Sequence, residues 1–184
     1  MAKFSILSRQ ELLRTRVFTV TRERAVETGG ITIDREIVHH AGSAVMLARD
    51  GQGRTLLVRQ FRLPARRRLW ELPAGRLDRG ETPLRAAKRE LIEETGYRAR
   101  RWRRLATFYP SPGYGGEQMT VFTAEGLTAG PARPESDESI ESRWFTAGEI
   151  SSMIRGGKIH DGKTLLGVLL ARAGAGRRRP AGKL

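Results

Sequence analysis

The stretch Gly75-Arg-Leu-Asp-Arg-Gly-Glu-Thr-Pro-Leu-Arg-Ala-Ala-Lys-Arg-Glu-Leu-Ile-Glu-Glu-Thr-Gly-Tyr97 predicts a loop that leads into a helix of roughly thirteen residues. Thr82 is a typical helix N-cap, and Pro83 suits the first helical position because its missing N–H has no partner there to lose. Gly96 is a typical C-terminal stop signal. The helix turns an apolar stripe toward the core, made of Leu84, Ala87, Leu91, Ile92 and Thr95.

Three glutamates occupy another side of this helix. Glu90, Glu93 and Glu94 are three and four positions apart, so their carboxylates lie within about one helical turn. Neither Glu90 nor Glu93 has a basic residue four positions later, as an exposed, charge-paired helix face would have, and only Arg89 offers a nearby positive charge. Hard oxygen ligands of this kind suit Mg²⁺ or Mn²⁺. The helix is therefore predicted to be a platform for a divalent metal.

Gly75, Glu81 and the run Arg89–Tyr97, separated by five and seven residues, resemble the Nudix box. Every fixed position of that signature is filled, and Tyr97 stands where the family more often has an aliphatic residue. The resemblance implies a loop-helix-loop element that holds divalent metals against the pyrophosphate of a nucleoside diphosphate linked to another group. It also implies roles for the residues: Glu90 and Glu94 are direct metal ligands, and Glu93 supports them or shares a second metal. Glu81 binds metal directly or through water, the backbone carbonyl of Ala74 completes the shell, and Arg89 orients the glutamates.

Two further segments resemble the ADP-ribose pyrophosphatase branch of that family, namely Val58-Arg-Gln-Phe-Arg62 and Trp70-Glu-Leu-Pro-Ala-Gly75. The resemblance implies that Arg59, Arg62 or both bind substrate phosphates, and that Glu71 contacts the nucleotide or the ribose. The two arginines equally suit ordinary surface charge. Trp70 is more typical of a core residue than of a platform for base stacking.

Two loops carry further candidate residues. The segment Thr107–Glu117 holds two prolines and three glycines, which predict a shaped loop, and it resembles the loop that marks ADP-ribose hydrolysers. The resemblance implies substrate contacts by Pro112 and Glu117, while Gly115 stands where the branch often has a small hydroxyl residue, which leaves the sugar open. The acidic run 135–138 is either solvated or supplies a general base for the attacking water, with Glu138 the first choice and Glu135 the second.

The composition narrows the class of protein. Of the 184 residues 39% are hydrophobic, enough for a core, and neither an apolar run of about eighteen residues nor a signal-peptide pattern is present. We therefore expect a cytoplasmic protein without a membrane segment. The absence of cysteine excludes disulfides, zinc-thiolate sites and a thiol nucleophile. The formal charge of +14 favours phosphate-rich substrates; arginine outnumbers lysine 29 to 5, a skew that a G- and C-rich genome also produces, so a nucleic-acid partner is not expected.

Alternating strand and helix signals predict an α/β fold, and the Nudix resemblance implies an α/β/α sandwich with a central mixed sheet and a small N-terminal antiparallel sheet. A short helix is expected near Gln10–Leu13, and helices over about 146–155 and 161–173. Arg98–Leu105, with five arginines, predicts a charged edge strand or, alternatively, a nucleic-acid groove. The expected domains are 1–40, the N-terminal sheet that forms a homodimer by analogy, 41–173, the Nudix domain, and 174–184, a disordered basic tail.

The resemblance implies Mg²⁺-dependent hydrolysis of ADP-ribose, or a related nucleoside diphosphate sugar, to AMP and ribose 5-phosphate. One alternative is a hydrolase of GDP-mannose or another nucleoside diphosphate sugar. The other is a module that binds ADP-ribose or RNA without cleaving it, although such a reader has no need of three clustered glutamates.

Overall fold

The structure is a computed structural model that describes residues 4–133 and 139–175. It is a mixed α/β fold, as the sequence predicts. Its elements in chain order are β1 (Phe4–Arg14), β2 (Phe18–Glu27), β3 (Thr32–His40), β4 (Ser43–Ala48), β5 (Thr55–Arg62), a 3₁₀ turn (Leu63–Ala65), β6 (Arg67–Glu71), β7 (Ala74–Arg76), α1 (Pro83–Thr95), β8 (Arg98–Phe108), β9 (Met119–Thr128), β10 (Glu141–Phe145), α2 (Ala147–Arg155) and α3 (Gly162–Ala175).

The chain divides into two compact units, and the first comprises the described residues up to Gly42 together with Phe108–Met119. Its sheet is an antiparallel meander in the order β1-β2-β3, which confirms the predicted small N-terminal sheet. The loop Phe108–Met119 attaches to β3, because Val38 donates its N–H to the carbonyl of Tyr114 (2.8 Å) and accepts from the N–H of Gly116 (2.9 Å).

The helix expected near Gln10–Leu13 is wrong, since these residues lie in strand β1. β1 pairs with β2 from Phe4 opposite Glu27 to Arg14 opposite Thr19, with two irregularities in register. An isolated helix of about one turn is costly to nucleate, whereas pairing along β2 satisfies the backbone hydrogen bonds of the whole segment.

The second unit contains the remaining strands and the three helices. Its strands form a four-stranded sheet, ordered β7-β4-β9-β8, and a three-stranded sheet, ordered β10-β5-β6. The core lies around β4, β9 and α1, where Met46, Leu91 and Phe122 are buried. β8 is an edge strand, as predicted, and α2 and α3 lie close to their predicted ranges.

Helix α1 has the predicted bounds. Thr82 accepts the N–H of Arg85, and Gly96 ends the helix with a positive φ of 73°. The buried face differs from the predicted stripe, because Ala86 is buried whereas Leu84 is 36% exposed. Of the described helices, none combines the length and the apolar character that crossing a membrane requires.

Candidate active site

Arg89 of α1 lies at the centre of an acidic cluster in the second unit. Its Nε and Nη2 donate to the two carboxylate oxygens of Glu81 at 3.2 and 2.8 Å. Its Nη1 donates to Glu90 Oε1 at 2.7 Å and to Glu93 Oε2 at 2.9 Å. Nη2 also donates to the carbonyl of Arg76, the last residue of β7, at 3.0 Å. One guanidinium therefore joins the end of β7 to three carboxylates.

The electrostatics of the cluster follow from these bonds. The hydrogen bond from Arg89 holds the pKa of the Glu81 carboxyl below its ordinary value, and the same bond raises the pKa of Arg89. Glu81 is thus a carboxylate at neutral pH, and Arg89 is a permanent cation. Asp78 also lies near Arg89, at 3.6 Å from Nε, so four acidic side chains share this positive charge and the cluster is able to attract a further cation.

The backbone of strand β7 packs directly against two glutamates of α1. A Cβ placed on Gly75 would lie 1.8 Å from Cδ of Glu90, so the space of a side chain is already filled by that carboxylate. The N–H of Ala74 donates to Glu94 Oε2 at 3.2 Å, and Glu94 is only 5% exposed. Glycine at position 75 is therefore required for the close approach of strand and helix.

The donor set of this cluster fits a divalent cation. Carboxylate and carbonyl oxygens are the ligands that Mg²⁺ and Mn²⁺ prefer. The carboxylates of Glu81, Glu90 and Glu93 already gather around a cation, the Arg89 guanidinium. Within residues 4–133 and 139–175, no group of three Asp, Glu or His side chains is already arranged as the ligands of a metal ion.

A second polar cluster surrounds Glu71, at the end of β6. Glu71 is 1% exposed, and both of its carboxylate oxygens accept from Arg62, at 2.9 and 2.8 Å. Lys163 of α3 donates to the same carboxylate and to Asp161. Burial raises the pKa of Glu71, but the hydrogen bond from Arg62 and the charge of Lys163 outweigh it, so its pKa lies below the ordinary value.

Residues of α3 in this cluster were not singled out in the sequence. Asp161 accepts the N–H of Thr164, and the Thr164 hydroxyl accepts the N–H of Leu72 at 2.7 Å. Leu72 precedes the segment that carries Ala74 and Gly75, so α3 holds the strand that packs on Glu90 and Glu94. The sequence carried one signal for this contact: Asp161 stands three positions before Thr164, which is the spacing between a helix N-cap residue and an N–H group that it accepts.

Arg59 lies apart from the acidic cluster. Its guanidinium is 3.8 Å from the carboxylate of Glu141 and 5.7 Å from the centroid of the Trp70 ring. Trp70 packs edge-on against Phe145 at 5.0 Å, as a core residue does. Within the second unit, the structure thus brings together Ala74, Glu81, Arg89, Glu90, Glu93 and Glu94. Arg62 and Glu71 form a second, neighbouring cluster, where the hydrogen bond to Glu71 raises the pKa of Arg62 and the charge of Glu94 contributes to the rise.

The other predicted residues lie elsewhere. Pro112 and Glu117 belong to the first unit, where Nδ1 of His40 is 3.4 Å from Oε1 of Glu117. Pro112 lines a pocket of about 420 Å³ in that unit, together with Tyr109 and Tyr114. Glu135, Glu138 and most of the predicted basic tail lie outside the described residues.

Known proteins share the sequence pattern and the fold of this chain. A family model described as the NUDIX domain matches residues 38–166. An ADP-ribose pyrophosphatase of Bacillus subtilis is 34% identical over 160 residues, covering 86% of each chain. An ADP-ribose pyrophosphatase of Mycobacterium tuberculosis is 34% identical over 174 residues, covering 92% of this chain and 84% of the relative.

A GDP-mannose pyrophosphatase of Pectobacterium atrosepticum is 32% identical over 166 residues, covering 84% of this chain and 83% of the relative. A solved structure described as an ADP compounds hydrolase shares the fold, with a TM-score of 0.80 over 97% of each chain at 20% identity. The family model covers more than half of the sequence, and the two ADP-ribose pyrophosphatases are related to it over most of its length. This chain therefore belongs to the Nudix hydrolase family.

Proposed function

We propose that the chain hydrolyses ADP-ribose, or a related nucleoside diphosphate sugar, to AMP and ribose 5-phosphate. Water adds to one phosphorus of the pyrophosphate, the bridging P–O bond breaks, and the released proton passes to a base. The carrying observation is the Arg89-centred cluster of carboxylates packed on Gly75, in a chain whose relatives include two ADP-ribose pyrophosphatases.

We propose Mg²⁺ as the metal, with Mn²⁺ as a substitute. Glu90 and Glu94 would be its direct ligands, with Glu81, Glu93 and the carbonyl of Ala74 in support. A bound divalent cation supplies charge neutralisation at the pyrophosphate and a lowered pKa for a coordinated water. Arg89 holds three of these carboxylates in place, and the Ala74 N–H holds Glu94.

We propose a different role for Arg62 and Glu71, two of the residues that the sequence analysis gave as substrate contacts. Both oxygens of Glu71 are engaged by Arg62 and Lys163, and Glu71 is 1% exposed. A carboxylate in that position has no free face for a ribose. We therefore assign Glu71 and Arg62 to positioning of the Leu72–Gly75 segment. Arg59, Pro112 and Glu117 stay proposed contacts on the family resemblance, and Glu138 stays the proposed base.

We also propose that the N-terminal sheet joins two copies of the chain, so that residues 1–40 serve dimerisation and 41–173 catalysis. All eleven residues of β1 are exposed, among them Phe4 (65%), Leu7 (58%) and Leu13 (50%). Exposed apolar patches commonly mark interfaces. Sedimentation should give a dimer for the wild type and a monomer for Leu7→Arg/Leu13→Arg; a dimer in both contradicts the proposal.

The activity is tested with a panel of ADP-ribose, GDP-mannose, NADH, diadenosine polyphosphates and capped RNA, each with Mg²⁺ and with EDTA. We expect ADP-ribose to be cleaved fastest, AMP to appear, and EDTA to abolish the reaction. Release of GMP as the main product would favour the GDP-mannose alternative, which the Pectobacterium relative supports. Binding of ADP-ribose without cleavage would favour the non-catalytic module.

The metal assignment is tested by Glu94→Gln. We expect turnover to fall by about a hundredfold or more, because positions that merely support metal ligands already cost up to about a hundredfold. The melting temperature should be unchanged, since the amide oxygen can still accept the N–H of Ala74. An active Glu94→Gln enzyme contradicts the assignment.

A further inference from the structure

A pocket of about 780 Å³ opens in the second unit, away from the acidic cluster. Its walls come from the turn between β4 and β5 and from β8, β9 and β10, and it shares no lining residue with the Arg89 cluster. Pockets that hold small ligands generally measure about 300–1,000 Å³. The pocket is therefore large enough for a small molecule, and nothing in the proposed hydrolysis uses it.

Arginine dominates the charge of this pocket. Four arginines line it, against the acids Asp50 and Glu125: Arg49, Arg54, Arg100 and Arg101. Arg54 pairs with Asp50 at 2.7 Å, and Arg101 lies 3.4 Å from Glu125. The side chains of Arg49 and Arg100 have no acidic or hydrogen-bonding partner in the part of the chain that the structure describes. Two guanidinium groups are thus available to an anion.

The backbone brings two arginines to the same side of the pocket. Ala99 and Trp102, three positions apart on β8, both pack on the core, which strict alternation along a strand does not allow. Arg100 and Arg101 lie between them. A Cβ on Gly126 of β9 would lie 3.4 Å from Nε of Arg100 and 3.4 Å from Nη1 of Arg101. The bare glycine therefore lets both guanidinium groups lie over β9.

Two aromatic rings form the apolar wall. Tyr97 and Trp144 pack edge to face at 5.4 Å, and Trp144 Nε1 donates to the Tyr97 hydroxyl at 3.2 Å. The turn at the rim lies beside these rings, since Cζ of Arg54 is 6.0 Å from the centroid of the Trp144 ring. Asp50 Oδ1 fixes this turn by accepting the N–H groups of Gln52 and Arg54 at 3.0 and 2.9 Å. The pocket thus combines free guanidinium groups, two aromatic rings set at 78° to each other and a rim fixed by hydrogen bonds.

We propose that this pocket binds a nucleotide, with its phosphates on Arg49 and Arg100 and its base against Tyr97 and Trp144. Arginine binds phosphate through paired, charge-assisted hydrogen bonds, and aromatic rings offer a base a flat apolar surface. A free inorganic phosphate or pyrophosphate offers the same anion without the base. Nucleotide binding here is a second function of the chain, separate from hydrolysis at the acidic cluster.

The test measures binding of ADP to the full chain by calorimetry in EDTA. We expect two ADP molecules per chain for the wild type. For Arg49→Glu/Arg100→Glu we expect the affinity of one of them to fall by about tenfold or more. The matched control is Arg98→Glu/Arg103→Glu, which makes the same change in charge on β8, the strand of Arg100, at exposed positions that do not line the pocket. The control should change affinity by less than about threefold, the effect of general surface charge.

Other outcomes overturn the proposal. A single ADP per chain, unaffected by Arg49→Glu/Arg100→Glu, leaves the pocket without a ligand. An equal loss of ADP affinity in both double variants means general electrostatic attraction. If single-stranded RNA binds more tightly than ADP and both double variants lose that binding equally, the arginines form an extended basic surface. Inorganic pyrophosphate that binds as tightly as ADP removes the role of the base.

Turnover of ADP-ribose at saturating substrate should be the same in the wild type and in both double variants, which separates this test from that of the hydrolysis.

Discussion

The two polar clusters of the second unit have opposite balances of charge. Around Arg89, one cation pairs with four carboxylates, and the side chain of Glu93 is 40% exposed. Around Glu71, one carboxylate that is 1% exposed receives two cations, and Lys163 is also paired with Asp161. The first cluster is partly open to solvent and holds more acidic than basic groups, whereas the second is buried and its charges are paired within the protein.

This difference separates a site that does chemistry from one that holds the structure. A buried carboxylate with both oxygens engaged contributes through fixed geometry, and breaking its pairs leaves a charge without a partner. A partly exposed cluster with excess negative charge gains stability from a cation that arrives from solvent. Substitutions in the first cluster should therefore change turnover, and substitutions in the second should change the free energy of unfolding.

The largest effect is expected for Glu71→Gln. Losing this carboxylate removes the charge that Arg62 pairs with and one of the two acidic partners of Lys163, so the free energy of unfolding should fall by about 3 kcal/mol, the low end for a buried pair because Arg62 is 39% exposed. Chemical denaturation at pH 7 measures the loss. A variant as stable as the wild type would mean that Glu71, like the residues of the exposed cluster, does not stabilise the fold through its charge.

The same variant also tests how the contribution of Glu71 to stability depends on pH. Because the pKa of Glu71 is below its unfolded value, its contribution is present above the unfolded pKa and is lost as the pH falls through the folded pKa. The difference in stability between wild type and Glu71→Gln should therefore be largest near pH 7 and shrink below about pH 4. A constant difference over that range would contradict the assigned charge.

Gly75→Ala should have the next largest effect, this time on turnover. The added Cβ would lie 1.8 Å from Cδ of Glu90, so the carboxylate must move. A displacement of about 1 Å in a catalytic arrangement costs about a hundredfold in rate, near 2.7 kcal/mol. Gly148→Ala is the matched control, since its Cβ would meet no atom closer than 3.9 Å. Equal turnover in the two variants would show that Glu90 need not be held.

Arg89→Lys should have the smallest effect, about a tenfold fall in turnover. An ammonium cannot make the paired bonds to Glu81 while also reaching Glu90 and Glu93. Arg85→Lys, at an exposed position of the same helix, is the control and should retain full activity. A fully active Arg89→Lys enzyme would mean that the carboxylates keep their geometry without the guanidinium fork.

The sequence predicted what short-range chemistry determines. Thr82 and Gly96 set the bounds of α1, and the spacing of the glutamates predicted the acidic cluster. The sequence did not reveal that Lys163 pairs with Glu71, because the two residues lie ninety-two positions apart and no local pattern joins them. β1 was missed for a related reason: its conformation comes from pairing with β2, which outweighs the weak helix preference of Gln10–Leu13.

The bonds between Val38 and the loop at Tyr114 to Gly116 also have a consequence for how the chain folds. The first unit is built from the N-terminal strands and a segment that follows α1 and begins at the end of β8. During synthesis β1, β2 and β3 emerge early, but the edge of β3 acquires its partner only after residue 116 has left the ribosome. Contacts of such long sequence separation slow folding. The N-terminal meander therefore begins to form early, and its contacts with the loop are completed only after α1 and β8 have been synthesised.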